Sequence, residues 1–192
     1  MKTLAIWTDG GCRVNPGIGG WGFWIPDFFN VKSFGYSRKT TNNAMEISAI
    51  LEALKVVVKA SNRRQLSEYD TIVIHSDSAF CIHTFEKWVY KWIRKNNLKE
   101  KKDWELIYKV YILMEYLMAA GWKIHFHKVP GHCGVEGNEI ADKLANQAMD
   151  EKLSFPVPKS IIGRTAITIT TFADKYFKNE EDKKRLIDIL NE

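Results

Sequence analysis

The sequence predicts an α/β fold in which helices cover both faces of one mixed β-sheet. Two observations predict this class. The first 37 residues have the pattern of three short strands joined by turns, which is typical of an antiparallel meander. From residue 43 onward, helical and strand patterns alternate, and such alternation favours parallel strands with helices packed on the sheet. A chain of 192 residues favours one such domain, with or without an appendage.

The first strand is predicted at residues 3–9, where both alternating sets of side chains are largely apolar. A strand that is apolar on both faces is expected at the centre of a sheet. Gly10-Gly11 and Asn15-Pro16-Gly17 then indicate a loop. Two further strands are predicted at residues 19–26 and 31–37, and they complete the meander.

A long helix is predicted at residues 43–60, capped by Asn42 or Asn43. Its apolar positions recur at helical spacing and form the stripe that faces the core: Ile47, Ile50, Leu51, Leu54, Val57 and Val58. The polar positions on the other side of the helix follow the same spacing: Ser48, Glu52, Lys55 and Lys59. Glu46 lies at the edge of the apolar stripe, which is an unusual place for a carboxylate without a function.

The remaining elements of the core continue the alternation of strands and helices. Strands are predicted at residues 71–76 and 122–129, the second from strict alternation of polar and apolar side chains. Helical patterns occupy the segments around and between them: residues 78–86, 88–96, 103–120 and 136–150. No internal repeat is present in the sequence.

Four acidic residues lie in separate motifs, each beside or within an apolar segment. Asp9 and Asp77 lie at the carboxyl ends of predicted strands, whereas Glu46 and Asp142 lie on predicted helices. A lone carboxylate in such a place is costly to desolvate, so we expect one reason to cover all four. Ligands of open α/β sheets collect at the carboxyl ends of parallel strands, where the strand order reverses. We therefore expect the four carboxylates to converge there and to share divalent cations, as in two-metal phosphoryl-transfer sites.

The composition indicates an intracellular protein with a polyanionic partner. The net charge of +5 favours nucleic acid, although many proteins that bind none are equally basic. Cys12, Cys81 and Cys133 form no C-x-x-C pair, so a reducing compartment fits better than a disulfide framework or a zinc ribbon. The N-terminus lacks the apolar region of a signal peptide, and no run is long enough to cross a membrane. We expect a soluble, cytoplasmic protein without a membrane partner.

The motifs around the four acids resemble those of type 1 ribonuclease H. In chain order they are Thr8-Asp9-Gly10-Gly11-Cys12 with Asn15-Pro16-Gly17, Thr41-Asn42-Asn43 with Met45-Glu46, Ser76-Asp77-Ser78, and Gly131-His132 with Gly137-Asn138-Glu139 and Ala141-Asp142. Each motif alone is weak, but their combination and order are specific, and the resemblance runs from about residue 3 to residue 150. It implies a sheet of strand order 3-2-1-4-5 with strand 2 antiparallel. It also implies an endonuclease that cuts the RNA strand of RNA–DNA hybrids and leaves 5′-phosphate and 3′-hydroxyl ends.

Carried over residue by residue, the resemblance implies that Asp9, Glu46, Asp77 and Asp142 are catalytic and bind two Mg²⁺ ions, with Mn²⁺ as a substitute. Oxygen ligands suit both ions. His132 matches a mobile-loop histidine that assists proton transfer or product departure, and histidine exchanges protons near neutral pH. The alternative is a surface histidine without a function.

The resemblance also implies positions that contact the hybrid. Asn15, Asn42 and the backbone near Cys12 match such positions, and Asn43 adds donors and acceptors for the RNA 2′-hydroxyls. Turn and helix-cap chemistry is an alternative account of these asparagines, and both roles are compatible.

Residues 87–104 carry seven basic residues against two acids and contain tryptophans four residues apart on a predicted helix. Basic groups bind phosphates, and a tryptophan face packs on a sugar or a base. The segment resembles a basic protrusion found in members of the family, and it implies a substrate-binding set: Lys87, Trp88, Lys91, Trp92, Arg94 and Lys95. The alternative is that the tryptophans belong to the core and the lysines to an exposed helix face.

Two histidines, His125 and His127, share one face of a predicted strand. A metal site at this pair is less favoured than a half-exposed sheet face, so no role is assigned to them.

The chain divides into a catalytic domain at residues 1–151 and an extension of unknown role at residues 152–192. Pro156 and Pro158 indicate a linker. Residues 161–172 favour a strand, and residues 173–190 have a mixed-charge helical pattern. The extension is expected to pack on the core, to form a subunit contact or to extend the nucleic-acid surface, and nothing in the basic segment requires more than a monomer.

Two other functions compete with the ribonuclease. A transposase or integrase core would share the fold, but the early helical glutamate and the Gly-Asn-Glu…Asp helix argue against it. A nuclease-inactive module that binds hybrids would typically lack one of the carboxylates, and none is missing here.

Overall fold

The structure is a computed structural model that describes residues 2–162, 177 and 179–192. Its centre is a five-stranded sheet made of β1 Lys2–Cys12, β2 Gly17–Ile25, β3 Val31–Thr40, β4 Tyr69–Ser76 and β5 Lys123–Lys128. The strand order is β3-β2-β1-β4-β5. β2 runs antiparallel to β1 and β3, whereas β4 is parallel to both β1 and β5. The predicted strand order and the antiparallel second strand are confirmed.

β1 is longer than predicted, because Gly10-Gly11 is strand rather than loop. Gly10, Gly11 and Cys12 continue the antiparallel pairing with β2. The parallel pairing with β4 ends earlier, at Trp7 and His75. β1 therefore separates from β4 just before Asp9, and this separation opens space at the carboxyl end of β4.

The helices follow the predicted segments with some changes. The three longest are α1 Asn42–Asn62, α4 Trp104–Ala119 and α5 Glu136–Glu151. Two predicted helices after β4 form one continuous path, with α2 Ala79–His83, a π-helix Thr84–Trp88 and α3 Val89–Arg94, followed by a short 3₁₀-helix Leu98–Glu100. In the C-terminal extension lie α6 Lys159–Ile162 and α7 Glu180–Asn191.

The N-cap of α1 differs from the prediction. The Thr41 hydroxyl, not Asn42 or Asn43, accepts a hydrogen bond from the Ala44 backbone N–H. The Asn42 side chain is engaged elsewhere, because its Oδ1 accepts from the Cys12 backbone N–H at 2.7 Å. The start of α1 is thereby joined to the end of β1.

The two faces of the sheet are covered by different helices. α1 packs on β1 and β2, and α4 packs against α1. On the other face, α5 lies on β1, β2 and β3. This contact is close, since a Cβ at Gly20 would lie 2.2 Å from the Ala145 carbonyl oxygen. Leu4, Ile6 and Ile72 are completely buried in the core between these layers.

The described parts of the C-terminal extension pack on this core. Phe155 forms a β-bridge with Phe34 of β3. α7 contacts α4 and α1, and its Leu186 is completely buried. Among the residues predicted to favour a strand, Ile161 and Ile162 belong to α6, and residues 163–172 lie outside the described part of the chain. The predicted helix at residues 173–190 is described from Glu180 onward.

The helical spacing of the polar residues in α1 suggested an exposed side, but this side of the helix is partly buried. Lys55 is only 6% exposed, and Lys59 is half-buried. Residues of the extension cover this side of the helix. Within the described residues, no helix combines the length and apolar character needed to cross a membrane.

Candidate active site

Two adjacent strands and the two helices that flank the sheet bring the four predicted carboxylates to one cleft. Asp9 comes from β1 and Asp77 directly follows β4, and these are the adjacent parallel strands at which the strand order reverses. Glu46 comes from the start of α1 and Asp142 from α5. All four line a cleft of about 410 Å³, together with His132.

Gly10 sets the distance between β1 and α1. A Cβ at position 10 would lie 2.3 Å from the Met45 carbonyl carbon and 2.4 Å from the Glu46 backbone nitrogen. No side chain fits there, so glycine allows the strand to touch the helix backbone. As a result, Asp9 and Glu46 face each other across a backbone contact rather than across a layer of side chains.

Three of the carboxylates form a tight group. One oxygen from each of Asp9, Glu46 and Asp77 lies within 4.8 Å of the others. Asp9 is 8% exposed and Glu46 is 9% exposed, so two of the three are nearly removed from water. Asp142 stands at the edge of this group, where its Oδ1 accepts a hydrogen bond from Asn146 Nδ2 at 3.0 Å.

The electrostatics of the group favour the neutral acids in the absence of a cation. Burial, followed by the charges of Asp77 and Asp142, raises the pKa of Asp9 to about 7, although the Gly10 backbone N–H and His132 oppose the shift. Burial and the charges of Asp9 and Asp77 raise the pKa of Glu46 well above its ordinary value. Lys128 partly offsets this rise.

The donor set of the cleft fits a hard divalent cation. Glu46 Oε2 is buried and has no hydrogen-bond partner among the described residues. A buried oxygen without a donor is costly unless something else satisfies it. Carboxylate oxygens in close mutual contact are the ligands that Mg²⁺ and Mn²⁺ prefer, and a cation would relieve their repulsion.

His132 lies in an exposed loop on the rim of the cleft, in the left-handed region at φ 52°. The preceding Gly131 brings this loop against Asp77, since a Cβ there would lie 2.5 Å from Asp77 Oδ2. Cys133 Sγ donates a hydrogen bond to the Gly131 carbonyl. The His132 imidazole therefore lies exposed on the same cleft that the carboxylates line.

The predicted hybrid-contacting residues near the cleft form a chain of hydrogen bonds. Cys12 lines the cleft, and its backbone N–H binds Asn42 Oδ1. The Asn42 backbone N–H in turn donates to Asn15 Oδ1 at 3.3 Å. Asn43 is exposed beside them. Asn15 and Asn42 thus organise the loop after β1, which is compatible with a second role in substrate contact.

The basic segment lies outside this cleft. Lys87 and Trp88 belong to the π-helix, Lys91, Trp92 and Arg94 belong to α3, and Lys95 follows α3. The Trp88 and Trp92 ring centroids are 6.0 Å apart. Trp88 is 38% exposed, whereas Trp92 packs against the core, so the core alternative describes Trp92 but not Trp88.

The basic side chains of this segment are free to meet a ligand. Lys87, Lys91, Arg94 and Lys95 are exposed. In the part of the chain that the structure describes, none of the four forms an ion pair. An unpaired, exposed row of cations is suited to phosphate binding.

Three residues at the site were missed in the sequence. Arg13 lines the cleft and pairs with Asp150. Asn146 binds the Asp142 side chain, and its position four residues after Asp142 on a predicted helix was a usable signal. Lys128 Nζ donates to the Asp77 carbonyl oxygen at 2.9 Å. Lys128 lies within the predicted strand at residues 122–129, but no local pattern indicates that its side chain reaches the neighbouring strand.

The histidines without an assigned role lie on the sheet face. His127 contacts His75 of the neighbouring strand, with 3.0 Å between their Nδ1 atoms, and the His75 ring stacks on Trp7. Burial and the proximity of His127 lower the pKa of His75 to about 4. His127 therefore pairs across strands rather than with His125.

Comparisons with known proteins agree with this architecture. The family model described as RNase H matches residues 1–150. Ribonuclease H of Ruthia magnifica subsp. Calyptogena magnifica is 36% identical over 156 residues, which cover 79% of this chain and 98% of that protein. The structure of LC11-RNase H1, isolated from compost by a metagenomic approach, has a TM-score of 0.60 and 29% identity, covering 79% of this chain and 99% of that one. A second structure of LC11-RNase H1, in complex with an RNA/DNA hybrid, has a TM-score of 0.55 at 24% identity, covering 78% and 98%.

A mixed sheet of this strand order, with carboxylates gathered where β1 and β4 separate, defines the class of ribonuclease H-like nucleases. The chain belongs to the RNase H family. This membership confirms the resemblance seen in the motifs and the predicted enzyme class. It also implies dependence on a divalent metal, which the donor set of the cleft fits.

Proposed function

We propose that this protein is an endonuclease that hydrolyses the RNA strand of RNA–DNA hybrids and leaves 5′-phosphate and 3′-hydroxyl ends. The observation that carries the proposal is the group of Asp9, Glu46 and Asp77, whose oxygens lie within 4.8 Å of one another in a chain of the RNase H family. LC11-RNase H1, whose fold this chain shares, is known in complex with such a hybrid.

We propose Mg²⁺ as the metal, two ions in number, held by Asp9, Glu46, Asp77 and Asp142. When bound, the ions would polarise the scissile phosphate, activate the attacking water and stabilise the leaving 3′ oxygen. Mn²⁺ would substitute, because it takes the same oxygen ligands.

The side chains of the cleft position the metal ligands and exchange the proton. Asp9 and Glu46 are buried and held against each other by the Gly10 contact, so their oxygens need little reorganisation on binding a cation. His132, which is exposed on its loop and lines the cleft, would exchange a proton with solvent and with the reacting phosphate. Asn146 orients the Asp142 carboxylate toward the cleft.

Substrate binding is assigned to two surfaces. The loop after β1, organised by Cys12, Asn15 and Asn42 and flanked by Asn43, would contact the RNA strand and its 2′-hydroxyls. The basic segment, with Lys87, Lys91, Arg94 and Lys95 exposed beside Trp88, would hold the backbone of the hybrid at a distance from the cleft. We propose a catalytic domain at residues 1–151 that acts as a monomer, with residues 152–192 as an extension whose α6 and α7 pack on it.

The test is a cleavage assay on an end-labelled RNA–DNA hybrid, with duplex DNA, duplex RNA and single strands alongside. We expect only the RNA strand of the hybrid to be cut, and only with Mg²⁺ or Mn²⁺. Asp9→Asn removes a ligand charge and should lower the rate by at least about 100-fold, since a bound metal contributes several kcal/mol to such reactions. Cutting or strand transfer on duplex DNA would contradict the proposal.

A companion measurement separates binding of the metal from catalysis. Millimolar MgCl₂ should raise the melting temperature of the wild-type protein, because a ligand that binds only the folded state stabilises it by mass action. The rise should be smaller in Asp9→Asn. If the melting temperature does not respond to MgCl₂ or MnCl₂, the metal site assigned to these carboxylates is wrong.

A further inference from the structure

A second cavity lies between α1, the sheet and the C-terminal extension. Its volume is about 380 Å³, within the range of about 300–1,000 Å³ that small-molecule sites occupy. Glu52, Lys55 and Lys59 contribute one wall from α1. Lys159 and Ile162 of α6 contribute another. None of the residues that line this cavity lines the carboxylate cleft, so it is a separate site.

Three lysines converge on this cavity. The Lys55 side chain is 8% exposed, and its Nζ pairs with Glu52 Oε1 at 2.9 Å. Lys59 follows one turn later on α1 and is half-buried. Burial and the positive charges of Lys55 and Lys159 lower the pKa of Lys59, although Glu52 partly offsets the effect. The three ammonium groups are therefore close enough to repel one another.

The acids at the cavity do not neutralise all three lysines. Glu52 is paired with Lys55, and Glu192 is paired with Lys109. Across the described residues, Lys59 and Lys159 have no ion-pair partner. Lys59 is half-buried beside the cavity, so part of its hydration is lost, and an anion in the cavity would compensate for that loss.

The remaining walls of the cavity are largely apolar and partly aromatic. Trp21 and Phe23 lie on the same side of β2, and their rings are nearly parallel with centroids 6.1 Å apart. Trp21 is half-buried, and Val157 of the extension closes the cavity nearby. A cavity lined by both cations and aromatic surface matches a ligand with a charged group and an apolar or aromatic body.

We propose that this cavity binds a small phosphate monoester, of the size and chemistry of a nucleoside monophosphate. Lys59 and Lys159 hold the phosphate beside the Lys55–Glu52 pair, and the body of the ligand lies against Trp21. The site depends on the extension, which supplies Lys159 and Val157. Binding would fasten the extension to α1.

The experiment is calorimetric titration of the full chain with AMP, inorganic phosphate and adenosine at constant ionic strength. AMP and phosphate should bind, AMP more tightly, and adenosine should not bind because it lacks the charge. Lys59→Met and Lys159→Met should each weaken AMP binding by at least about tenfold, as expected for loss of one charged hydrogen bond. Both variants should cleave the hybrid at the wild-type rate.

Lys91→Met is the matched control, because it removes a lysine from the basic segment instead of the cavity. It should leave AMP binding unchanged. If AMP and phosphate fail to bind, or if Lys91→Met weakens AMP binding while Lys59→Met and Lys159→Met do not, the proposal is overturned. Lys159 is exposed, so its substitution is compatible with folding and keeps the test decisive should Lys59→Met fold poorly.

Discussion

The Asp9 carboxylate is buried beside other acids, and this placement raises its pKa from 3.8 to about 7. A raised pKa means that the folded state binds the proton more tightly than the unfolded state does. The resulting stabilisation is complete below about pH 4 and is lost as the pH rises through about 7. At neutral pH the metal-free protein therefore carries an unfavourable charge at this position.

We expect Asp9→Asn to stabilise the metal-free protein at pH 8 and to leave its stability nearly unchanged at pH 4. The shift of the Asp9 pKa corresponds to at most about 4 kcal/mol. Urea unfolding in EDTA at the two pH values measures the difference. Glu105→Gln, which removes an exposed acid from α4, is the control, and its effect should stay below about 1 kcal/mol at both pH values. If Asp9→Asn changes the free energy of unfolding by the same amount at pH 4 and at pH 8, the charge of Asp9 does not destabilise the folded protein.

At the scale of elements, the contact between β1 and α1 depends on one glycine. Gly10→Ala would place a Cβ against backbone atoms of Met45 and Glu46, which cannot rotate away. We expect a loss of about 3 kcal/mol or more in the free energy of unfolding, at or above the upper end for overpacking. Gly11→Ala is the matched control, since a Cβ there meets nothing within 4 Å. Chemical denaturation of both variants measures the effect, and equal stabilities would contradict the close contact.

The π-helix and α3 carry the basic side chains that are proposed to bind the phosphates of the hybrid. Lys91→Gln with Lys95→Gln should weaken hybrid binding and reduce the slope of log K against log salt by up to about 1.8, because each lost phosphate contact removes about 0.9. Titrations at several salt concentrations measure this slope. Lys123→Gln, an exposed lysine at the start of β5, should leave the slope unchanged. An unaltered slope in the double variant would remove the segment from the binding surface.

The elements show where sequence patterns were sufficient and where they were not. Asp9 and Asp77 were expected to converge because each lies at the carboxyl end of an apolar strand, and the structure brings their carboxylates together where β1 and β4 separate. Gly10-Gly11 was expected in a loop, since paired glycines usually mark one, but β2 continues to pair with them. The burial of Lys55 was not predictable from the helical spacing of α1. The residues that cover it lie about 100 positions later in the chain.

For the whole molecule, the packing of α7 indicates that the extension and the catalytic domain unfold together. Leu186 is completely buried against the core, so Leu186→Ala should cost about 2–5 kcal/mol. Leu153→Ala is the same change at a residue that is 58% exposed, and it should cost less than about 0.5 kcal/mol. Thermal unfolding should remain a single transition in both variants. A separate early transition in Leu186→Ala would show that the extension is an independent unit.

Both outer edges of the sheet are blocked, each by a different means. The Phe155 backbone exchanges hydrogen bonds with Phe34 of β3, and the Ser154 hydroxyl accepts from the Tyr36 N–H. β5, at the other edge, is only six residues long and has a lysine at each end. Open strand edges recruit strands from other molecules, and short charged edges or covered edges prevent this. A chain shortened to residue 151 would uncover β3, and its main consequence would be edge-to-edge aggregation between copies.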